Sequence, residues 1–204
     1  YTLTIQSPAN ATITKKALSV TGFTASDKVY DGNRTATVAG TMTNKVSGDA
    51  LTLTGTFDTK NVGDGKTVTG GLSGDDAGNY SLGNTTTTAK ITPLALSVTG
   101  FTASDKVYDG TTAATVKAGG AKLSNVIDGD KVNLETKDAS GTFDTKNVGT
   151  GKKVSVTGLS LKGADKDNYT LGNFSVTADI TPATLTITSN PASRSQGQAN
   201  PAFS

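Results

Sequence analysis

Lys28 and Lys106 are the most chemically suggestive side chains in a sequence with no Cys, His or Trp. Each stands in the same pentapeptide, KVYDG. Each is followed by an acid in a repeated GTFDTKNVG stretch, Asp58 and Asp144, and by the last Asn of NYSLGN or NYTLGN, Asn84 and Asn173. A lysine amine can join an Asn or Asp side chain as an amide, releasing ammonia or water. Burial favours this by lowering the amine's pKa and keeping a nearby carboxyl protonated. Those six residues are the candidates for a self-made cross-link, and solvated turn residues would leave the same letters. Oxygen donors collect in DGDKVN, where Asp128, Asp130 and Asn133 are the calcium candidates, and around Asp75, Asp76 and Asn79. Calcium prefers such ligands, but neither stretch has calcium-loop spacing and Lys131 intrudes on the first. Turn chemistry is the plainer reading, and no metal or cofactor is expected.

Asn10, Asn33, Asn79, Asn84, Asn168 and Asn173 each open an Asn-X-Ser/Thr triplet, the acceptor pattern for glycosylation, which a Thr- and Asn-rich chain also makes by chance. Without thiolate or imidazole, the commonest nucleophiles and general bases are missing, and an enzyme is not expected. The spaced glycines of LSGDDAGNYSLG lack the strand-to-helix setting of a phosphate loop. Net charge is only +2 with the basic residues scattered, so the field that draws a protein to nucleic acid or an anionic membrane is absent. No window approaches the ~18 apolar residues of a membrane span, and the opening residues do not read as a signal peptide.

Local alternation indicates which elements must hold these residues. Leu18 and Val20 alternate with Ser19 and Thr21, the period of a strand with one buried face. Strands are likewise predicted in 35–42, 51–57, 66–72 and 86–92. In 152–161 the apolar parity slips at Gly158, which predicts a bulge. Asp-Gly pairs at 31–32, 64–65, 109–110 and 128–129 predict turns, since Gly accepts positive φ and Asp bonds its own backbone. Tyr30, Tyr108, Tyr80 and Tyr169 are expected to fill cores with their hydroxyls partnered.

These elements occur twice. ALSVTGFTASDKVYDG stands at 17–32 and again at 95–110, GTFDTKNVG starts at 55 and 141, and ITP stands at 91 and 180. The copies run 17–93 and 94–182; residues 1–16 read as the tail of a preceding module and 183–204 as the start of a different one. Each copy has ~80–90 residues, enough to bury roughly 60–65% of its unfolded surface. With few aromatics and no disulfide, such a core is thin, and packing on a neighbour would add stability. Pro93 and Pro182 stiffen the junctions. The fold expected is all-β: tandem small modules, either immunoglobulin-like sandwiches or β-grasp-like sheets with a short helical turn near 43–47 and 123–127, arranged end to end as a rod.

KVYDG with GTFDTKNVG, NYSLGN and ITP, all present twice, resembles the YDG repeat of very large bacterial surface adhesins related to filamentous haemagglutinin. SRSQGQANPAFS at 193–204 is similar to the opening of the MBG-type repeat of the same proteins, with Gln196 in place of the usual Tyr. The resemblance implies export across a Gram-negative envelope, display at the cell surface and a non-catalytic stalk role supporting adhesion or biofilm contacts. Neighbouring modules of the same chain are then the expected partners. The alternative is a module that binds host glycan or matrix protein through its variable loops, above all 118–140, where the second copy carries extra residues.

Overall fold

The structure, a computed structural model, describes residues 1, 10–188 and 193–199. Among them the regular elements are strands and two short 3₁₀ turns, so the protein is all-β. The first copy contributes β1 (Lys16–Ala25), β2 (Lys28–Val29), β3 (Thr35–Ala36), β4 (Val38–Thr43), β5 (Thr52–Phe57), β6 (Gly63–Ser73), β7 (Tyr80–Leu82) and β8 (Thr86–Thr92). The second contributes β9 (Leu94–Thr99), β10 (Thr102–Ala103), β11 (Lys106–Val107), β12 (Ala113–Ala114), β13 (Val116–Lys117), β14 (Lys122–Ser124), β15 (Asn133–Glu135), β16 (Ser140–Phe143), β17 (Gly149–Thr157), β18 (Ser160–Lys162), β19 (Tyr169–Leu171) and β20 (Phe174–Thr181).

Each copy builds the same two sheets. A five-stranded sheet is ordered β2-β8-β6-β5-β3 in the first copy and β11-β20-β17-β16-β12 in the second. Its interior face carries Phe57, Val68, Ala89 and Ile91, or their counterparts Phe143, Val154, Ala178 and Ile180, all buried. A three-stranded sheet, β4-β1-β7 or β14-β9-β19, sets the opening strand antiparallel to one neighbour and parallel to the other. In the second copy β10 and β13 form a separate pair, as do β15 and β18.

Compactness does not follow the sequence copies. One compact unit comprises Tyr1–Thr99 together with Ala121–Lys137 and Leu159–Gly172; the other comprises Gly100–Gly120, Asp138–Gly158 and Asn173–Ser204. The first unit therefore closes its core with strands β9, β14 and β19 of the following copy. Leu96 and Tyr169 are buried with Tyr30, Phe57, Val68 and Ile91, and Leu94, Leu123, Val126, Ile127 and Leu171 pack around them. The second unit has a smaller buried cluster, Phe143, Val154, Ala178 and Ile180, flanked by Ala103, Ala114, Val116 and Val176. At ~25 cal/mol per Å² of buried apolar surface, a sheet face from the next copy is a natural supplement to a thin core.

Several local expectations are met, and three differ. All four Asp-Gly glycines have positive φ, between 59° and 84°. The helical turns expected at 43–47 and 123–127 are absent because Asn44 and Asn125 sit at φ 67° and 69°, which no right-handed turn continues through. Short 3₁₀ turns lie instead at Ala77–Asn79 and Lys166–Asn168. The parity slip at Gly158 is a break between β17 and β18 rather than a bulge: a Cβ there would stand 2.0 Å from the Asp138 carbonyl oxygen, so the backbones meet too closely for a side chain. Register shifts lie elsewhere, between Thr21 and Thr24, between Gly63 and Lys66 and between Gly149 and Lys152. Residues 182–188 form no strand, and Leu185 and Ile187 are exposed. The preceding tail and the following module fall partly outside the described residues.

Candidate functional site at the joint between repeats

Asp130 is the centre of the most elaborate polar cluster in the first compact unit. It follows Gly129, whose positive φ closes the turn between β14 and β15. Its side chain is only 3% exposed although it carries a carboxylate, and a buried charge persists only when partnered. Three donors supply that. The Tyr30 and Tyr169 hydroxyls donate to Oδ2 at 2.7 and 2.6 Å, and the Lys60 ammonium donates to Oδ1 at 2.9 Å. The Tyr169 oxygen in turn accepts the Ile127 N–H at 3.1 Å. The two tyrosine rings meet edge to face, centroids 5.4 Å apart, an arrangement that adds about 0.5–1.5 kcal/mol beyond area burial. Tyr30 and Lys60 belong to the first copy; Asp130, Ile127 and Tyr169 belong to the second.

A second contact runs alongside. Asn168, in the 3₁₀ turn before β19 and 5% exposed, accepts the Val62 N–H at 3.0 Å and donates to Asn61 Oδ1 at 3.3 Å. Among the described residues no buried side-chain polar atom lacks a partner. The cluster thus satisfies the rule that a buried polar network stabilises only when every member is bonded.

The network sets protonation in one direction. Burial pushes the Asp130 carboxyl up, but the bonds from Tyr169, Tyr30 and Lys60 outweigh it and hold the group below the ordinary carboxylate range. Burial and then the Asp130 bond push the Tyr169 hydroxyl up to about 12, and the same two causes raise Tyr30. The bond to Asp130 raises Lys60. Both tyrosines stay neutral donors and Asp130 stays an anion across the physiological range, which suits a permanent joint rather than proton transfer.

The repeated lysine has a separate job. Lys28 donates to Asp31 Oδ1 at 2.6 Å, to Asn33 O at 2.9 Å and to Thr35 O at 3.1 Å, and its ammonium lies 5.6 Å from the Phe57 ring centroid. Lys106 does the same with Asp109 at 2.8 Å, Thr111 O at 2.9 Å and Ala113 O at 3.0 Å, above Phe143. In KVYDG the lysine therefore ties down the loop after its own turn. It does not meet the acids proposed for cross-linking, since Asp58 takes Lys66 at 3.0 Å and Asp144 takes Lys152 at 2.9 Å. No described contact brings Asn84 or Asn173 to either lysine.

Of the calcium candidates, Asp130 has its oxygens taken by hydroxyls and an ammonium, Asp128 is exposed, and Asn133 lies in β15 opposite Lys162. Among the described residues no three His, Cys, Asp or Glu side chains cluster as metal ligands. Tyr30 fills a core and partners its hydroxyl as expected, but Tyr108 does not: it is 37% exposed against 1% for Tyr30. Lys60 went unremarked in the sequence, although it lies in the duplicated GTFDTKNVG and its counterpart is Lys146.

The sequence profile of the YDG domain matches the chain over 14–89 and again over 92–179, and the chain belongs to that family. No curated protein and no solved structure matches it. Among the described residues no helix is long and apolar enough to cross a membrane.

Proposed function

We propose that the chain is a non-catalytic structural segment of a bacterial cell-surface adhesin of the filamentous-haemagglutinin kind. Its repeats form an extended stalk that projects a distal binding region and supports adhesion or biofilm contacts. On this reading it is exported across a Gram-negative envelope and its partners are neighbouring repeats. Residues 183–204 open an MBG-type module, and the repeats are small sandwich-like or β-grasp-like units arranged as a rod. The observation that supports this best is the joint itself: Tyr30 and Lys60 of one copy converge on the buried Asp130 of the next, so the KVYDG turn serves as a connector between repeats. A polar network in that place fixes register, a use of buried polar groups attested elsewhere. Small-angle scattering tests the stalk directly. An elongated profile with a constant cross-section is expected, and a compact sphere would overturn it.

A second reading, a glycan- or matrix-binding module, is favoured by the extra residues between β15 and β16, which have no counterpart in the first copy. Removing 135–139, which joins Leu134 to Ser140 as Leu53 joins Thr54 in the first copy, and probing a glycan and matrix array separates the two: a signal that vanishes supports binding, and silence from the unaltered chain supports the stalk.

A further inference from the structure

Asp-Gly pairs turn the chain at 31–32, 64–65, 109–110 and 128–129, and the last differs from the others in what holds its acid. Asp31 Oδ1 accepts the Lys28 ammonium at 2.6 Å and the Asn33 N–H at 3.1 Å. Asp109 Oδ1 accepts Lys106 at 2.8 Å and the Thr111 N–H at 2.9 Å. Asp64 lies within β6 and pairs with Lys90 at 2.7 Å. Asp128 is exposed, and among the described residues its carboxyl has no hydrogen bond and no ion pair. These ties matter because an Asp-Gly pair can rearrange unaided, the glycine nitrogen attacking Cγ of the acid. Glycine lets the peptide rotate into that position. A carboxyl held ionised against a lysine resists the attack, and one turning freely in water does not.

The place of Asp128 makes such a rearrangement consequential. Asp128 and Gly129 are the central residues of a turn closed by the Asp130 N–H donating to Ile127 O at 3.1 Å. Gly129 sits at φ 84°, with nothing within 4 Å of where a Cβ would stand. Both flanks are pinned: the Ile127 N–H donates to the Tyr169 oxygen at 3.1 Å, and the Lys131 N–H donates to Asp165 Oδ2 at 2.9 Å. Between those pins Asp130 has to meet Tyr30, Tyr169 and Lys60. The first copy makes the same turn without the reactive acid. It reads Ser47-Gly48-Asp49, with Gly48 at φ 96° and Asp49 accepting the Tyr80 hydroxyl.

We propose that Asp128-Gly129 is a site of spontaneous isomerisation to isoaspartate, and that this change withdraws Asp130 from the joint. The Gly129 nitrogen bonds to Asp128 Cγ, and one carboxyl oxygen leaves as water with the amide proton and the carboxyl proton. Water then adds to the main-chain carbonyl carbon of the imide and breaks its bond to the Gly129 nitrogen. The chain now runs through Cβ and Cγ, one atom longer, and leaves a free α-carboxylate. The two steps lose and regain one water and need no oxidant or reductant. An added bond of ~1.5 Å between two pinned ends exceeds the play of hydrogen bonds that need donor and acceptor within about 2.7–3.2 Å. Asp130 then loses partners that it holds only by position.

Ageing the whole chain for weeks at neutral pH and physiological temperature tests this. Isoaspartate is located by peptide mapping with electron-transfer fragmentation and counted by labelling with an isoaspartyl methyltransferase. It is expected to accumulate several-fold faster at 128 than at 31, 64 or 109, preceded by a species lighter by one water. The urea midpoint of the aged chain should fall towards that of Asp130→Ala in proportion to the fraction modified. Asp128→Ser, which installs the residue of the first copy, should keep its midpoint through the same treatment. Asp128→Glu, whose longer side chain closes the imide far more slowly, is a second block that keeps the charge. Isoaspartate no more abundant at 128 than at the other pairs, modified chain that unfolds like fresh chain, or blocked variants that weaken as fast as wild type would each overturn the proposal. The outcome is independent of the stalk, because this assay reads a covalent bond and scattering reads a shape.

Discussion

Residues 28–32 and 106–110 are the same five letters, KVYDG, and the two turns have the same backbone: Gly32 and Gly110 sit at φ 78° and 79°. Lys28 and Lys106 donate to equivalent loop atoms. Their tyrosines nevertheless differ from fully buried to more than one third exposed. Local sequence decides local geometry here; burial is decided by which strands come next. Tyr30 is covered by β9, β14 and β19 of the following copy, whereas among the described residues no such strands cover Tyr108.

The largest effect expected from this asymmetry is that of Tyr30→Ala. Truncating a buried aromatic costs about 3–5 kcal/mol, whereas Tyr108→Ala should cost under about 1 kcal/mol in urea unfolding at low protein concentration, close to a surface change. Equal losses would break the comparison. Next is Asp130→Ala, which leaves two hydroxyls and an ammonium without their acceptor, for about 2–4 kcal/mol. Asp49→Ala removes a single hydroxyl partner in a more open setting and should cost about 1 kcal/mol or less.

The turn glycines give a finer test. An alanine at either position bears the left-handed backbone strain, about 1–2 kcal/mol. At Gly32 its Cβ would also stand 2.8 Å from Ile127 Cγ2, while at Gly110 nothing lies within 4 Å. Gly32→Ala should therefore lose about 1 kcal/mol more than Gly110→Ala, through overpacking; identical melting shifts would remove Ile127 from the joint.

Smallest, and confined to extremes, is the dependence on pH. Asp130 has a folded-state pKa below its ordinary ~3.9. Its contribution is present above that value and is lost as pH falls through the depressed one. Tyr169 is raised to about 12. Its contribution is whole below the ordinary ~10 and is lost as pH rises from there through its folded value. Other paired carboxylates, such as Asp109, which its bonds from Lys106 and Thr111 hold down to about 2, also weaken in acid. The informative quantity is thus the difference between wild type and Asp130→Asn, whose acid limb should be flatter. Parallel curves would assign the acid sensitivity elsewhere.

How much of this was legible before the structure depends on range. Strands β1, β5, β6 and β8 are written in period-2 alternation, and the turns in Asp-Gly pairs, because those signals are local. The joint is not: Asp130 lies 100 residues from Tyr30, and its own letters, DGD, read as turn chemistry or as a poor calcium loop. Asn168 opens an acceptor triplet that chance also produces, and nothing in N-Y-T says that its side chain will be buried against Val62. One clue was available. TKNV is duplicated together with VYDG, and a lysine and an asparagine kept at matching places in both copies ask for a partner that is also duplicated, as Asp49 and Asp130 are.

The borrowing of β9, β14 and β19 also governs how the protein can be divided. Scissors applied at Pro93, where the letters repeat, would strip Tyr30, Phe57 and Ile91 of the lid that Leu96 and Tyr169 place over them. A piece carried on to Gly172 keeps it. The compact unit therefore reaches further along the chain than the stretch that is spelled twice, and since segments of the second unit lie between its own, it is not one continuous piece.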